Sequence, residues 1–90
     1  LYSSSAILWG MTHMAATSRL HQIFCDNVRI HREKLGFTQV DMAKKMRITQ
    51  AYYSNVESGR NPPNLETIEK FAKAFKVEPY ELLAPQVVAA

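Results

Sequence analysis

The 90-residue chain has one cysteine and three glycines. It also has no apolar run long enough to cross a bilayer. A lone Cys25 excludes an internal disulfide framework and any cysteine-built zinc cage. Cys25 reads as a small apolar core residue in a reducing compartment, with a reactive thiol as the other reading. So few glycines leave no glycine-rich loop to cradle a phosphate. Ala6-Ile7-Leu8-Trp9 is too short for a membrane span, and no basic residue precedes it, so no transmembrane or secretory segment is expected. Runs of alternating β-branched and aromatic residues bounded by turn pairs are missing, which leaves an all-α domain. Metal motifs are also lacking, since His13 and His21 fall outside any ligand spacing with His31. Ser, His and Asp are present, but a catalytic triad is defined by spatial geometry rather than by composition. The expectation is therefore a chain that is not an enzyme, with no cofactor, no metal and no small-molecule ligand.

What the chain does have is a positive charge on one side of its length. Residues 19–60 carry eight basic and four acidic side chains, and residues 61–90 carry three basic and four acidic ones. The overall charge is +3, and hydrophobic residues make up 47%, enough for one domain with a small core. A basic excess confined to one half fits a surface that displaces counterions from phosphates, or simply a solvated face. Residues 1–18 have no charge before Arg19 and are rich in Ser, Thr and Ala. They read as a flexible extension or an expression remnant, with Met11 and Met14 as candidate starts and Leu8 and Trp9 as candidate docking residues. The folded domain is expected over 19–84 and a tail over 85–90.

The most informative stretch runs from Gly36 to Asn64. Gly36 suits the end of a first helix, since glycine takes the left-handed conformation without a Cβ penalty. Thr38 caps a second helix with Asp41 as its capping-box partner, and Met42, Ala43 and Met46 form its apolar stripe. Arg47 and Ile48 make a turn, with Ile48 tucked inward. Thr49 caps a third helix whose inward positions are Tyr53 and Val56. Gly59 ends it, and Pro62-Pro63 blocks continuation. Two short helices around so tight a turn form a helix-turn-helix, whose second helix can lay its N-terminal side chains against base edges in a major groove. Gln50, Tyr52 and Asn55 occupy outward positions, with Gln39 at the start of the preceding helix. Gln and Asn can bond adenine bidentately, and Ala51 offers a methyl to thymine. Tyr52 either touches DNA or only covers surface. Ser58 and Arg60 in the following loop are candidate phosphate contacts, and Asn61 could reach a phosphate or a base edge.

The flanking helices supply the core. Phe24, Val28, His31 and Leu35 recur on one face of a helix over 19–35. His31 stands where an aliphatic residue is expected, and reads as a partly buried histidine with a hydrogen-bond partner. Asn64 caps a fourth helix with Leu65, Ile68, Phe71, Ala72 and Phe75 inward. Glu66 with Lys70 and Glu69 with Lys73 form i,i+4 pairs on its wet face. Pro79 opens a fifth short helix to Leu83, with Tyr80 and Leu83 packing back.

The segments F-T-Q-V-D-M-A-K-K-M and T-Q-A-Y-Y-S-N-V-E-S-G-R-N-P-P resemble the lambda-repressor-like (Xre or Cro/repressor) helix-turn-helix family, over residues 21–84. Arg47 departs from that pattern, which usually has glycine in the turn. The resemblance implies a compact five-helix fold and sequence-specific binding of double-stranded DNA by a cytoplasmic, bacterial or phage-encoded transcriptional regulator. It further implies a homodimer on a near-palindromic operator, through the fifth helix and the end of the fourth. Phage repressors, restriction–modification controllers and antitoxin-type autoregulators are all included. It also implies an ion pair between Arg32 and Glu57 locking the third helix to the first, and a pair of glutamines, Gln39 and Gln50, of which one braces the other while both touch DNA. The competing reading is an adaptor of the same fold that binds a toxin or RNA polymerase instead of DNA.

Overall fold

The computed structural model describes residues 18–86, and every helix in that span begins at a side chain suited to cap it. α1 (Arg19–Lys34) starts at Ser18, whose Oγ accepts the His21 amide at 3.0 Å. Ser18 thus belongs to the folded unit. The rest of the proposed N-terminal extension, with Leu8 and Trp9, lies outside the described residues, as do residues 87–90 of the tail. Gly36 turns the chain with φ +74°, as its position predicts. Leu35 does not join the buried face: it is the C-cap residue and 46% exposed, because the chain has left the helix by then.

α2 (Gln39–Met46) opens on a reciprocal capping box. The Asp41 amide donates to Thr38 Oγ1 and the Thr38 amide to Asp41 Oδ2, each at 3.1 Å. α3 (Gln50–Ser58) opens on Thr49, whose hydroxyl accepts the Tyr52 amide at 3.0 Å. Gly59, at φ +88°, ends it. α4 (Leu65–Phe75) opens on Asn64, whose side-chain oxygen accepts the Thr67 amide at 2.8 Å. The fifth expected helix is a single 3-10 turn, Pro79–Leu82, so the described residues form four α-helices and that turn, without strands.

Phe71 sits at the centre of the core. Phe24 meets it edge-on at 6.0 Å between ring centres, and Tyr53 stacks on it at 5.6 Å. Val28, Met42, Val56 and Leu82 close the space around them, all fully buried. Cys25 is buried too and its Sγ lies 3.4 Å from the Val56 carbonyl oxygen. Burial, with Asp26 and Glu57 nearby, pushes the Cys25 thiol up to about 11, so it stays protonated and packs as a small apolar residue.

Several side chains fall away from the expected pattern. Leu65, at the first position of α4, is 79% exposed, since that turn overhangs the core. Tyr80 is 70% exposed, and Leu82 is the side chain that packs in, with Leu83 half-buried beside it. Leu83 thus packs back as expected, and Leu82 takes the inward place expected of Tyr80. Neither Glu66–Lys70 nor Glu69–Lys73 closes to an ion pair. Among the described residues the pairs within 4.0 Å are Arg29–Asp26 and Arg32–Glu57. His31 stacks on Phe75 at 5.5 Å, but its buried Nε2 has no hydrogen-bond partner. Asn27 is buried and donates to the carbonyls of Leu82 and Ala84, each at 2.8 Å. That amide fastens the 3-10 turn to α1.

Candidate nucleic-acid interface

Glu57 holds the motif in place. Its carboxylate accepts Arg32 Nε at 2.9 Å and a terminal guanidinium nitrogen at 3.0 Å, a two-pronged pair that joins α3 to α1. Another guanidinium nitrogen donates to the Phe37 carbonyl at 2.8 Å, tying in the loop before α2. Gln39 Nε2 donates to the same carboxylate at 3.0 Å. Burial on its own would raise the carboxyl of Glu57. Hydrogen bonds from Arg32 and Gln39 outweigh it and hold the group below the ordinary carboxylate range. The Arg32–Glu57 pair is therefore present as expected, but the bracing of Gln39 differs. Gln39 is tied to Glu57, and the Gln50 side chain has no hydrogen bond within the described residues.

With its inner face packed through Tyr53, Val56 and Glu57, α3 turns Gln50, Ala51 and Ser58 to the outside. Asn55 is half-buried, with its side-chain amide unbonded, while its main-chain oxygen accepts the amides of Arg60 at 2.9 Å and Asn61 at 3.1 Å. Those bonds fix the loop after α3. Arg60 is exposed there and Asn61 half-buried. Ser58 Oγ donates back to the Asn55 carbonyl at 3.3 Å. Tyr52 is half-buried, with part of its ring against the core, so a stacking role would use only its outer edge. Gln39, Gln50, Ala51, Asn55, Ser58, Arg60 and Asn61 thus come from the start of α2, the outer side of α3 and the loop after it. Chemically the set offers amide donors and acceptors, one methyl and one guanidinium, suited to base edges and phosphates. Among the described residues no group of histidines, cysteines or carboxylates could hold a metal. No helix there is long and apolar enough to cross a membrane.

Comparison with known proteins agrees with this geometry. A family model described as helix-turn-helix matches residues 28–82. The control protein C.BamHI of Bacillus amyloliquefaciens is 32% identical over 68 residues, which are 74% of this chain and 84% of that protein. The HTH-type transcriptional regulator DdrOP3 of Deinococcus deserti is 32% identical over 66% of this chain, which spans 46% of that regulator's length. The crystal structure of a hypothetical transcription factor from Neisseria is 35% identical, with a TM-score of 0.69, over 73% of this chain and 76% of that one. The chain belongs to the lambda-repressor-like (Xre/Cro-type) helix-turn-helix family.

Proposed function

We propose that this protein regulates transcription by binding double-stranded DNA at specific sequences, in the cytoplasm and as a homodimer. The observation that carries this reading is the division of α3 into a locked inner face and an outer face whose Gln50 and Asn55 amides have no partner within the described residues. Partnerless amides on a helix so rigidly seated can bond base edges without first breaking bonds of their own. Gln50, Ala51, Tyr52 and Asn55 read the sequence. Gln39, Ser58 and Arg60 hold phosphates, and Asn61 contacts one or the other. The relatives named as transcriptional regulators and the basic half of the chain support the reading. A twofold contact through the 3-10 turn and the end of α4 is supported by Tyr80, an aromatic ring exposed there.

The test is a fluorescence-anisotropy titration against duplexes selected by the protein from a random pool. Affinity should fall steeply between low and moderate salt. Gln50→Ala should cost about 1–3 kcal/mol and relax preference at one base position. Arg60→Ala should weaken all sequences about equally and flatten the salt dependence. Indistinguishable behaviour of the two variants would remove the division into readers and anchors. A protein that selects no duplex would be an adaptor for a protein partner instead.

A further inference from the structure

The four α-helices of the described residues end at their C-termini on two kinds of residue. α1 and α3 are followed by Gly36 and Gly59, both at positive φ. α2 and α4 end on Arg47 at φ 59° and Lys76 at φ 61°, the positive-φ residues other than glycine. A side chain in this conformation crowds its own backbone, so glycine is the less strained choice at either position. A cation next to a helix C-terminus recovers part of that cost through the helix dipole, which could account for both residues. Their surroundings differ, however. Arg47 lies in the turn just before Thr49, the cap of α3, and so beside the end of α3 that carries Gln50 and Ala51. Its side chain is exposed and makes no hydrogen bond or ion pair among the described residues. Lys44, in the last turn of α2, is also exposed. The nearest carboxylate in sequence, Asp41, is engaged in the capping box. Lys76 ends α4, at the far end of that helix from the loop that follows α3.

We infer that Arg47 is a phosphate-binding residue of the DNA interface, and that the turn keeps a strained backbone there in order to carry its guanidinium. The inference rests on the DNA-binding reading above. A guanidinium beside the groove-entering end of α3 has the reach to meet the backbone bordering the groove, and its planar fork suits a phosphate. Such a contact adds affinity without choosing bases.

The experiment compares the parent protein with Arg47→Gly, Arg47→Asn and Lys76→Gly on one duplex selected by the parent, across a salt series. Asparagine tolerates the left-handed conformation but carries no charge. Arg47→Gly and Arg47→Asn should each bind about three- to tenfold more weakly at moderate salt, with the log–log salt slope reduced by about one, as loss of one phosphate contact requires. Base preference should be unchanged. Lys76→Gly should keep the parent's affinity and slope. Thermal midpoints of the two glycine variants should equal or exceed the parent's, which separates a lost contact from a lost fold. Parent-like affinity and slope in Arg47→Gly would overturn the inference, and so would an equal loss in Lys76→Gly, since net charge alone would then explain the effect. If the parent itself retains no duplex, the DNA-binding reading falls and the inference with it.

Discussion

Glu57 is buried and His31 half-buried, and the two answer to pH for different reasons. Arg32 and Gln39 donate to the Glu57 carboxylate and, against the effect of burial, hold it below the ordinary carboxylate range. Its contribution to stability is therefore complete above the ordinary carboxylate range and is lost as pH falls through the depressed folded value. Glu57→Ala strands the Arg32 guanidinium and should cost roughly 3–5 kcal/mol. Thermal melting measures this, and an unchanged midpoint would remove the locking role. His31 is lowered by burial first and then by Lys34, with Glu81 opposing. A lowered histidine favours the neutral ring in the folded state, so its share of stability is full above about pH 6.5 and declines below that. Replacing it with Phe should preserve the stack on Phe75 and flatten the decline of the melting midpoint between about pH 7 and pH 5. His21, also lowered by burial, leaves a residual slope. An identical pH profile in His31→Phe would assign the whole dependence elsewhere.

The 3-10 turn depends on α1 more than on its own winding, because Asn27 supplies the donors for the carbonyls of Leu82 and Ala84. Asn27→Ala should destabilise the fold by about 2–3 kcal/mol, as buried acceptors lose their partners. Hydrogen exchange should quicken first at the Glu81 and Leu83 amides, which close that turn. Uniform acceleration across all helices would contradict local anchoring. Asn27 also marks a limit of sequence reading. Thr38, Thr49, Asn64, Gly36 and Gly59 were legible because each acts within three or four residues of itself, and local chemistry dictates a cap or a stop. Asn27 acts across more than fifty residues, and nothing in its neighbourhood distinguishes it from a solvated asparagine. Leu35 and Leu65 failed for a related reason: periodicity gives the face a residue occupies but not where the helix outruns the core. Within the candidate site, the Arg32–Glu57 pair was readable only from family resemblance. The bond from Gln39 to Glu57 needed coordinates, because an amide so placed could equally have turned to Gln50.

The described fold measures 38 Å in its longest dimension, close to one turn of duplex DNA. Each copy carries one α3, so the proposed homodimer would set one α3 in each of two half-sites ~34 Å apart on a near-palindrome. Hydroxyl-radical footprinting should give two protected blocks at that spacing, related by a twofold axis, together with a dimer in sedimentation. A single block bound by one copy would refute the pairing. The convergence on Glu57 of an arginine from α1 and a glutamine from the edge of α2 has one more consequence. The contact that joins α3 to α1 also seats Gln39 at the proposed recognition edge. Partial melting that leaves a competent reader behind has little room to occur, so heat or acid should silence each molecule abruptly rather than blunt its discrimination by degrees.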